Sequence, residues 1–293
     1  MKRNLAFLAA FTASVIYGVS FTVAKEVMPE YIKPFGFIVL RVSGATLLFW
    51  FFSLFTPKEK IDKKDYSKFF IAAIFGITLN MLAFFKGLSF TTPINGAVMM
   101  LTTPILILGL SAVILKEKIT KTKSFGILLG VLGAVTLIVY KQQTSQNGIN
   151  IGLGNFLVFV NAVSYALYLV ISKPILTKYS PLTFAKWLYL FGLLMVLPFG
   201  YEQVLEIQWQ SFPLEILLKT LYIVIATTFL TYLFNIIALR ALKPTTLSVF
   251  MYIQPLVATT YAIAMGKDTL TSVKIIGGTI IFLGVYLVTK KQK

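Results

Sequence analysis

Long apolar stretches separated by short charged segments limit the folds open to this chain more than any other feature. A helix that crosses a bilayer needs about 20 mainly apolar residues, because its backbone polar groups find no water there and must bond to one another. Ten stretches reach or approach that length, at 5–24, 35–55, 69–90, 94–115, 124–140, 151–172, 182–200, 214–239, 245–265 and 273–289. The sequence therefore predicts an all-α integral membrane protein with ten transmembrane helices.

Composition supports the same class. Hydrophobic residues make up 57% of the chain and charged residues 13%, whereas soluble domains carry about a quarter charged residues. A net charge of +17 would suggest nucleic acid binding in a soluble protein, but here the cations lie in short segments between apolar runs. We expect the lipid bilayer and a small-molecule substrate as partners, and no nucleic acid.

The chain contains no Cys and no His. This excludes a disulfide framework, a thiol nucleophile, an imidazole base and the usual zinc and haem sites. All ten carboxylates fall in predicted loops or at predicted helix ends, so no carboxylate proton relay is visible at membrane depth. We expect no cofactor, no metal and no enzymatic activity.

The distribution of Lys and Arg predicts the orientation. With an even number of spans, both termini lie on one side, and most of the 27 Lys and Arg residues fall on that side. Short basic loops resist translocation, so the basic side is cytoplasmic. We expect a multi-pass protein of the cell membrane with both termini in the cytoplasm.

The sequence also repeats itself. A shift of 151 positions aligns residues 88–139 with 239–290 and superimposes Pro104 on Pro255 and Gly133 on Gly284, while a shift of 148 pairs Tyr17 with Tyr165. We interpret residues 1–142 and 151–293 as two five-helix repeats. Because five is odd, the second repeat is inverted in the membrane, an arrangement that serves alternating access in many transporters. The alternative is that duplication only builds a larger bundle.

Several segments resemble the EamA-like family of the drug/metabolite transporter superfamily. They are Tyr17 to Phe21 with Lys25, Arg41, Gly87 to Thr91, Ala238 to Leu242, and Pro104 with the segment Leu115 to Ile119 around Glu117. The copy of the last segment, near Pro255, carries Asp268 in place of the family's more usual Glu. The resemblance covers nearly the whole chain and implies a transporter fold. It says little about the substrate, since the family implies carriers of amino acids, other metabolites and toxic compounds.

Basic residues near helix ends suggest two clusters, at opposite ends of a predicted solute pathway. Lys25, Arg41 and Lys86 form one cluster, and Lys173, Lys186 and Arg240 form the other. One hypothesis is that they draw an anionic or zwitterionic solute inward; the other is that the lysines reach the lipid headgroups. Arg41 lies about seven residues into its span, which favours substrate binding or bonding between helices.

Neutral polar residues deeper in the spans complete the candidate pathway. Asn161, Tyr165 and Tyr168 recur at helical spacing and share one face. Polar residues can also serve only to bond helices together. The predicted pathway residues are Tyr17, Lys25, Arg41, Asn80, Lys86, Asn161, Tyr165, Tyr168, Tyr232, Asn235, Arg240 and Gln254.

Paired prolines and glycines suggest where helices bend and pack. Pro104 and Pro255 are predicted hinges in helices 4 and 9. Glycine stripes on helices 5 and 10 are predicted to pack helices within or between subunits, and the second case would give a homodimer.

The function we predict is secondary transport, as an exporter of small organic metabolites such as amino acids. The alternatives are an intramembrane lipid-modifying enzyme and a membrane receptor or scaffold.

Overall fold

The computed structural model describes residues 3–28, 30–90, 99–100, 102–140, 150–264 and 272–289, and these residues are helical apart from short connections. We number the long helical stretches in chain order. They are α1 (Arg3–Val27), α2 (Pro34–Ser53), α3 (Tyr66–Ala73, Ile74–Thr78 and Leu79–Phe90), α4 (Thr103–Ile114), α5 (Lys121–Tyr140), α6 (Ile151–Lys178), α7 (Pro181–Leu205), α8 (Leu214–Tyr222, Ile223–Leu230 and Thr231–Ala241), α9 (Pro244–Ser248, Val249–Tyr252 and Ile253–Ala264) and α10 (Ser272–Thr289).

Local sequence explains where several helices begin. Pro34, Pro181 and Pro244 each occupy the first turn of a helix, where the missing N–H of proline costs no hydrogen bond. Asn150 and Ser180 cap α6 and α7 by accepting backbone N–H bonds at 3.1 and 3.2 Å, which satisfies donors that the helix itself leaves free.

Within the described residues, five helical stretches are long and apolar enough to cross a bilayer, judged by length and composition: Pro34–Ser53, Lys63–Leu88, Gly152–Lys178, Pro181–Leu205 and Leu214–Ala241. Large apolar side chains such as Leu47, Leu194 and Phe282 point outward from the bundle, as expected of a surface that lipid covers. The all-helical membrane architecture is confirmed, while the number of ten crossings stays a prediction.

Helix packing follows a reciprocal pattern. In the first half, α1 packs against α8 and α9; in the second, α6 packs against α3 and α4. The remaining major contacts pair α2 with α7 and α5 with α10. If each helix of one half is replaced by its counterpart in the other half, the same set of helix pairs results. Each half therefore completes its packing with the other.

Glycines bring α5 and α10 into close contact. A Cβ atom added at Gly126 would lie 2.9 Å from the carbonyl oxygen of Gly284, and one at Gly133 would lie 2.7 Å from that of Gly277. Such close approach requires residues without side chains. The described parts of these stripes therefore pack within the chain.

Two helices contain π-helical turns at corresponding places. The turn in α3 covers Ile74–Thr78 and the turn in α8 covers Ile223–Leu230. A shift of 151 positions carries residues 74–78 to 225–229, which lie inside the second turn. A π turn changes the regular hydrogen-bond pattern and is frequent at functional sites.

Candidate substrate pathway

Arg41 occupies the middle of the bundle. It lies about 10 Å along α2 from its start, at a rise of about 1.5 Å per residue, and only 9% of its surface is exposed. Its Nε–H donates to the Thr228 hydroxyl at 2.9 Å, and Thr228 stands near the midpoint of α8. The guanidinium therefore lies beside the middle of α8, about seven residues into α2.

Thr228 fixes the direction of this contact. Its hydroxyl donates to the Ile223 carbonyl oxygen at 2.8 Å, so its lone pairs face Arg41. The guanidinium carbon also lies 5.7 Å from the ring centre of Phe37 and 5.9 Å from that of Phe85. Aromatic faces attract a cation electrostatically and hold it more favourably than aliphatic side chains do.

Tyrosines from several helices lie near Arg41. Tyr17 of α1 faces Thr231 and Asn235 of α8 and lies near Arg41. Tyr165 and Tyr168 of α6 have ring centres 5.9 Å apart and lie near Tyr17. The structure thus brings together predicted pathway residues from both halves of the chain.

Tyr189 and Tyr232 complete this layer. Their rings meet edge to face, with centres 5.1 Å apart, and both residues lie near Arg41. The Tyr232 hydroxyl donates to the Gly76 carbonyl oxygen at 3.1 Å. The Tyr189 hydroxyl is buried and has no hydrogen-bond partner among the described residues.

The π-helical turn of α3 is held by side chains from other helices. The Phe75 carbonyl oxygen accepts from Ser164 at 2.8 Å, next to the Gly76 carbonyl that accepts from Tyr232. Four residues after Gly76, the amides of Asn80 and Asn161 each donate to the other residue's backbone oxygen, at 3.4 and 2.8 Å. Asn80, Asn161 and Tyr232 therefore also bond helices together in this conformation.

The threonines of α8 were missed by the sequence argument. Thr227 shares a 2.5 Å hydrogen bond with Ser20 of α1, and Thr231 donates to the carbonyl oxygen of Thr227. The sequence feature that could have identified them is three threonines within five residues of a strongly apolar run. Such hydroxyls are not distinctive in a sequence, because Ser and Thr within a helix can bond back to the i−4 carbonyl of their own helix.

Lys173 binds the end of α8. Its ammonium donates to the carbonyl oxygens of Leu239, Arg240 and Leu242 at 2.7, 2.9 and 2.8 Å. The last carbonyls of a helix lack partners within the helix, and the negative end of its dipole favours a cation. In this conformation Lys173 caps a helix of the same chain.

We expect Lys173→Met to loosen the end of α8. Losing three bonds from a charged donor should lower stability by about 1–3 kcal/mol, and amide hydrogen exchange should accelerate at 239–242. Thermal unfolding in detergent and exchange mass spectrometry measure both effects. Lys118→Met is the matched control because Lys118 is exposed; equal behaviour of the two variants would contradict the capping role.

The other predicted residues lie apart from this layer. Lys86 is exposed, with its ammonium 4.8 Å from the ring centre of Phe90. Arg240 is exposed at the end of α8, and Gln254 lies beside the contact of α9 with Gly18 of α1. Lys186 lies over the Trp50 ring. The side chain of Lys25 falls outside the described residues.

The two predicted hinge prolines lie at breaks between helical segments. Pro104 stands in the first turn of α4, directly after a turn at Thr102. Pro255 stands near the start of the last segment of α9, directly after the 3₁₀ segment Val249–Tyr252. Each proline is accommodated where a new α-helical segment begins. Their role as hinges stays a prediction.

The described carboxylates lie at the two rims of the bundle. One rim holds Glu26, paired with Lys219, and Glu206, paired with Lys33. The opposite rim holds Asp62 and Asp65, which pair with Lys178. These pairs join the first half of the chain to the second.

Glu59 adds a further contact at the second rim. Partial burial opposes its ionisation, yet hydrogen bonds from Thr183 and Ser180 hold the pKa of its carboxyl below the usual value. The carboxylate is therefore ionised at neutral pH and stays bonded to the start of α7.

An all-helical bundle with apolar outer surfaces and a buried polar layer shared by both halves defines a multi-pass membrane protein with an internal polar site. The sequence profile of the EamA-like transporter family matches residues 4–139 and 152–290. The chain belongs to the EamA-like transporter family, and the resemblance seen in the sequence is confirmed.

Relatives and a solved structure agree with this assignment. An uncharacterized transporter of Archaeoglobus fulgidus is 27% identical over 94% of this chain and 95% of its own. The uncharacterized transporter YyaM of Bacillus subtilis is 23% identical over 97% and 93%, and a WAT1-related protein of Arabidopsis thaliana is 27% identical over 91% and 74%. A crystal structure with 18% identity superimposes with a TM-score of 0.81 and covers 98% of this chain and 97% of its own, which shows the fold alone.

Proposed function

We propose that this protein is a secondary transporter that exports small organic metabolites such as amino acids by alternating access. The observation that carries this proposal is the buried polar layer around Arg41, to which α1, α2, α6, α7 and α8 contribute side chains. Polar groups at membrane depth are unfavourable unless they bond to one another or to a solute, so they mark a pathway.

Alternating access is supported by the way the halves meet. The reciprocal helix pairs and the corresponding π-helical turns fit two repeats of opposite orientation. Cross-half ion pairs lie at both rims, where an inverted repeat would place its two gates. We propose ten crossings, with both termini in the cytoplasm and the protein in the cell membrane.

An enzyme or a scaffold is less well supported. Among the described residues, no group of three or more acidic side chains could hold a metal ion. The family and the named relatives are transporters. A scaffold would not require a polar layer at the centre of the bundle.

Because the chain has no native cysteine, cross-linking tests this mechanism without background thiols. One double variant, Glu26→Cys with Lys219→Cys, joins α1 to α8 at the first rim; the other, Asp62→Cys with Lys178→Cys, joins α6 to the segment before α3 at the second. We expect either disulfide to stop transport in proteoliposomes and reduction to restore it, because each would lock one gate.

The assay measures the flux of a panel of radiolabelled amino acids and nucleosides. The four single-cysteine variants are the controls for loss of the ion pairs themselves. In vesicles of known orientation, faster flux from the cytoplasmic face to the outer face than in the reverse direction would support export. If both cross-linked proteins transport at the rate of the reduced proteins, alternating access is wrong.

A further inference from the structure

The charge of Arg41 has no described counterion. Within the part of the chain that the structure describes, no ion pair involves Arg41. Of the nine carboxylates in the described residues, Glu30 and Glu202 are exposed to the outside. The others bond to basic side chains other than Arg41 or to backbone N–H groups. A buried cation without an anion is unfavourable, so this site favours an incoming negative charge.

The guanidinium keeps free donors. Arginine carries five N–H groups in a planar fork, and the hydrogen bond to Thr228 engages the Nε–H alone among the described contacts. Phe37 and Phe85 border the guanidinium but accept no conventional hydrogen bond. The Nη groups can therefore present two parallel donors to a carboxylate.

A second unsatisfied group points to the same ligand. The Tyr189 hydroxyl is buried and lacks a partner among the described residues. The Tyr189 backbone oxygen accepts from Thr46 of α2 at 3.2 Å, and Thr46 lies about one and a half helical turns beyond Arg41. A buried hydroxyl without a partner is unfavourable by itself. As a donor to a bound carboxylate it would add to the Nη groups.

We propose, on the basis of the proposed transport function, that Arg41 and Tyr189 bind a carboxylate of the transported solute. The substrate is then a small organic monocarboxylate. One cation balances one negative charge, whereas a phosphate dianion would leave the site negatively charged. The aromatic neighbours Phe37 and Phe85 fit an apolar or planar body next to the carboxylate.

The test compares acids with their neutral amides. Purified protein in detergent is heated with acetate, propionate, benzoate or N-acetylphenylalanine, and with the primary amide of each, at equal ionic strength. We expect one or more of these acids to raise the melting temperature and the amides to have little effect, since a ligand that binds only the folded state stabilises it.

Variants then connect the effect to the site. Arg41→Gln should weaken acid binding by about tenfold or more, and Tyr189→Phe by about threefold to tenfold, because each removes donors to a charged acceptor. Tyr189→Phe removes only a hydroxyl that has no described partner, so we expect it to fold even if Arg41→Gln does not. Arg3→Gln is the control, since it makes the same chemical change on an exposed residue at the start of α1.

Three results would overturn the carboxylate proposal: equal stabilisation by acids and amides, no stabilisation by any of the acids, or unchanged acid binding in Tyr189→Phe. Binding in detergent does not require transport, so the two proposals fail separately. Acid binding at Arg41 without flux in proteoliposomes would contradict transport. If neutral or cationic solutes are transported, and Arg41→Gln does not change their flux, the result would support transport and contradict the carboxylate site.

Discussion

Replacing Glu117 by glutamine should destabilise the protein by about 3–5 kcal/mol, because it leaves a buried cation without its anion. The side chains of Glu117 and Lys123 are 5% and 12% exposed and pair at 2.6 Å. Thr245 at the start of α9 bonds to both. This pair therefore joins the segment between α4 and α5 to the second half of the chain.

The chain turn before Glu117 directs its side chain inward. Lys116 adopts a left-handed backbone conformation with φ of 52°, which is uncommon for residues other than glycine. The Glu117 N–H then bonds to the Ser111 carbonyl oxygen at 3.1 Å. This geometry gives a structural reason for the glutamate in the segment that resembles the family signature.

Two comparisons test the prediction. The double variant Glu117→Gln with Lys123→Met should recover part of the lost stability, because it removes the unpaired cation as well. The control is Glu206→Gln, which breaks the exposed pair of Glu206 and Lys33, 53% and 59% exposed, and should cost about 0–1 kcal/mol. Thermal unfolding in detergent measures all three. Similar losses for Glu117→Gln and Glu206→Gln would show that burial does not strengthen the pair.

A single methyl group at Gly133 should separate α5 from α10. The Cβ atom of alanine would lie 2.7 Å from the carbonyl oxygen of Gly277 and 2.9 Å from the backbone nitrogen of Ile281. Backbone atoms cannot move aside without shifting the helix, so we expect a loss of about 1–3 kcal/mol and a lower yield of folded protein.

Gly109→Ala is the matched control for this variant. It adds the same methyl group to α4, where nothing lies within 4 Å of the new atom. Both changes raise helix propensity by about 0.5–1 kcal/mol, so their difference reports the contact with α10. Size-exclusion profiles and melting temperatures give the comparison. If Gly133→Ala melts no lower than Gly109→Ala, the close packing of α5 and α10 is not needed for the fold.

The hydropathy pattern was sufficient to predict an all-helical membrane protein, because a bilayer leaves few ways to satisfy backbone polar groups. Helix ends were less predictable. α6 extends to Lys178 and α7 to Leu205, beyond the predicted 172 and 200, because polar residues at a rim can continue a helix outside the apolar core. The π-helical turns left no signal in the sequence.

The layer around Arg41 was predictable only in part. Helical spacing placed Tyr165 and Tyr168 on one face, and the cost of a buried charge singled out Arg41. The sequence did not show that Arg41 bonds to Thr228, that Tyr189 lacks a partner, or that Lys173 caps α8. Each of these depends on helices that lie more than 60 positions apart in the chain.

The sequence by itself determined the membrane class and the helical content, because these depend on local hydropathy, and the residues that repeat along it predict the two halves. Only the tertiary structure decided which polar groups are satisfied by the protein and which remain available to a solute. That distinction depends on distances between helices, and hydropathy along one helix contains no information about them. The free donors of Arg41 are therefore a property of the assembled bundle.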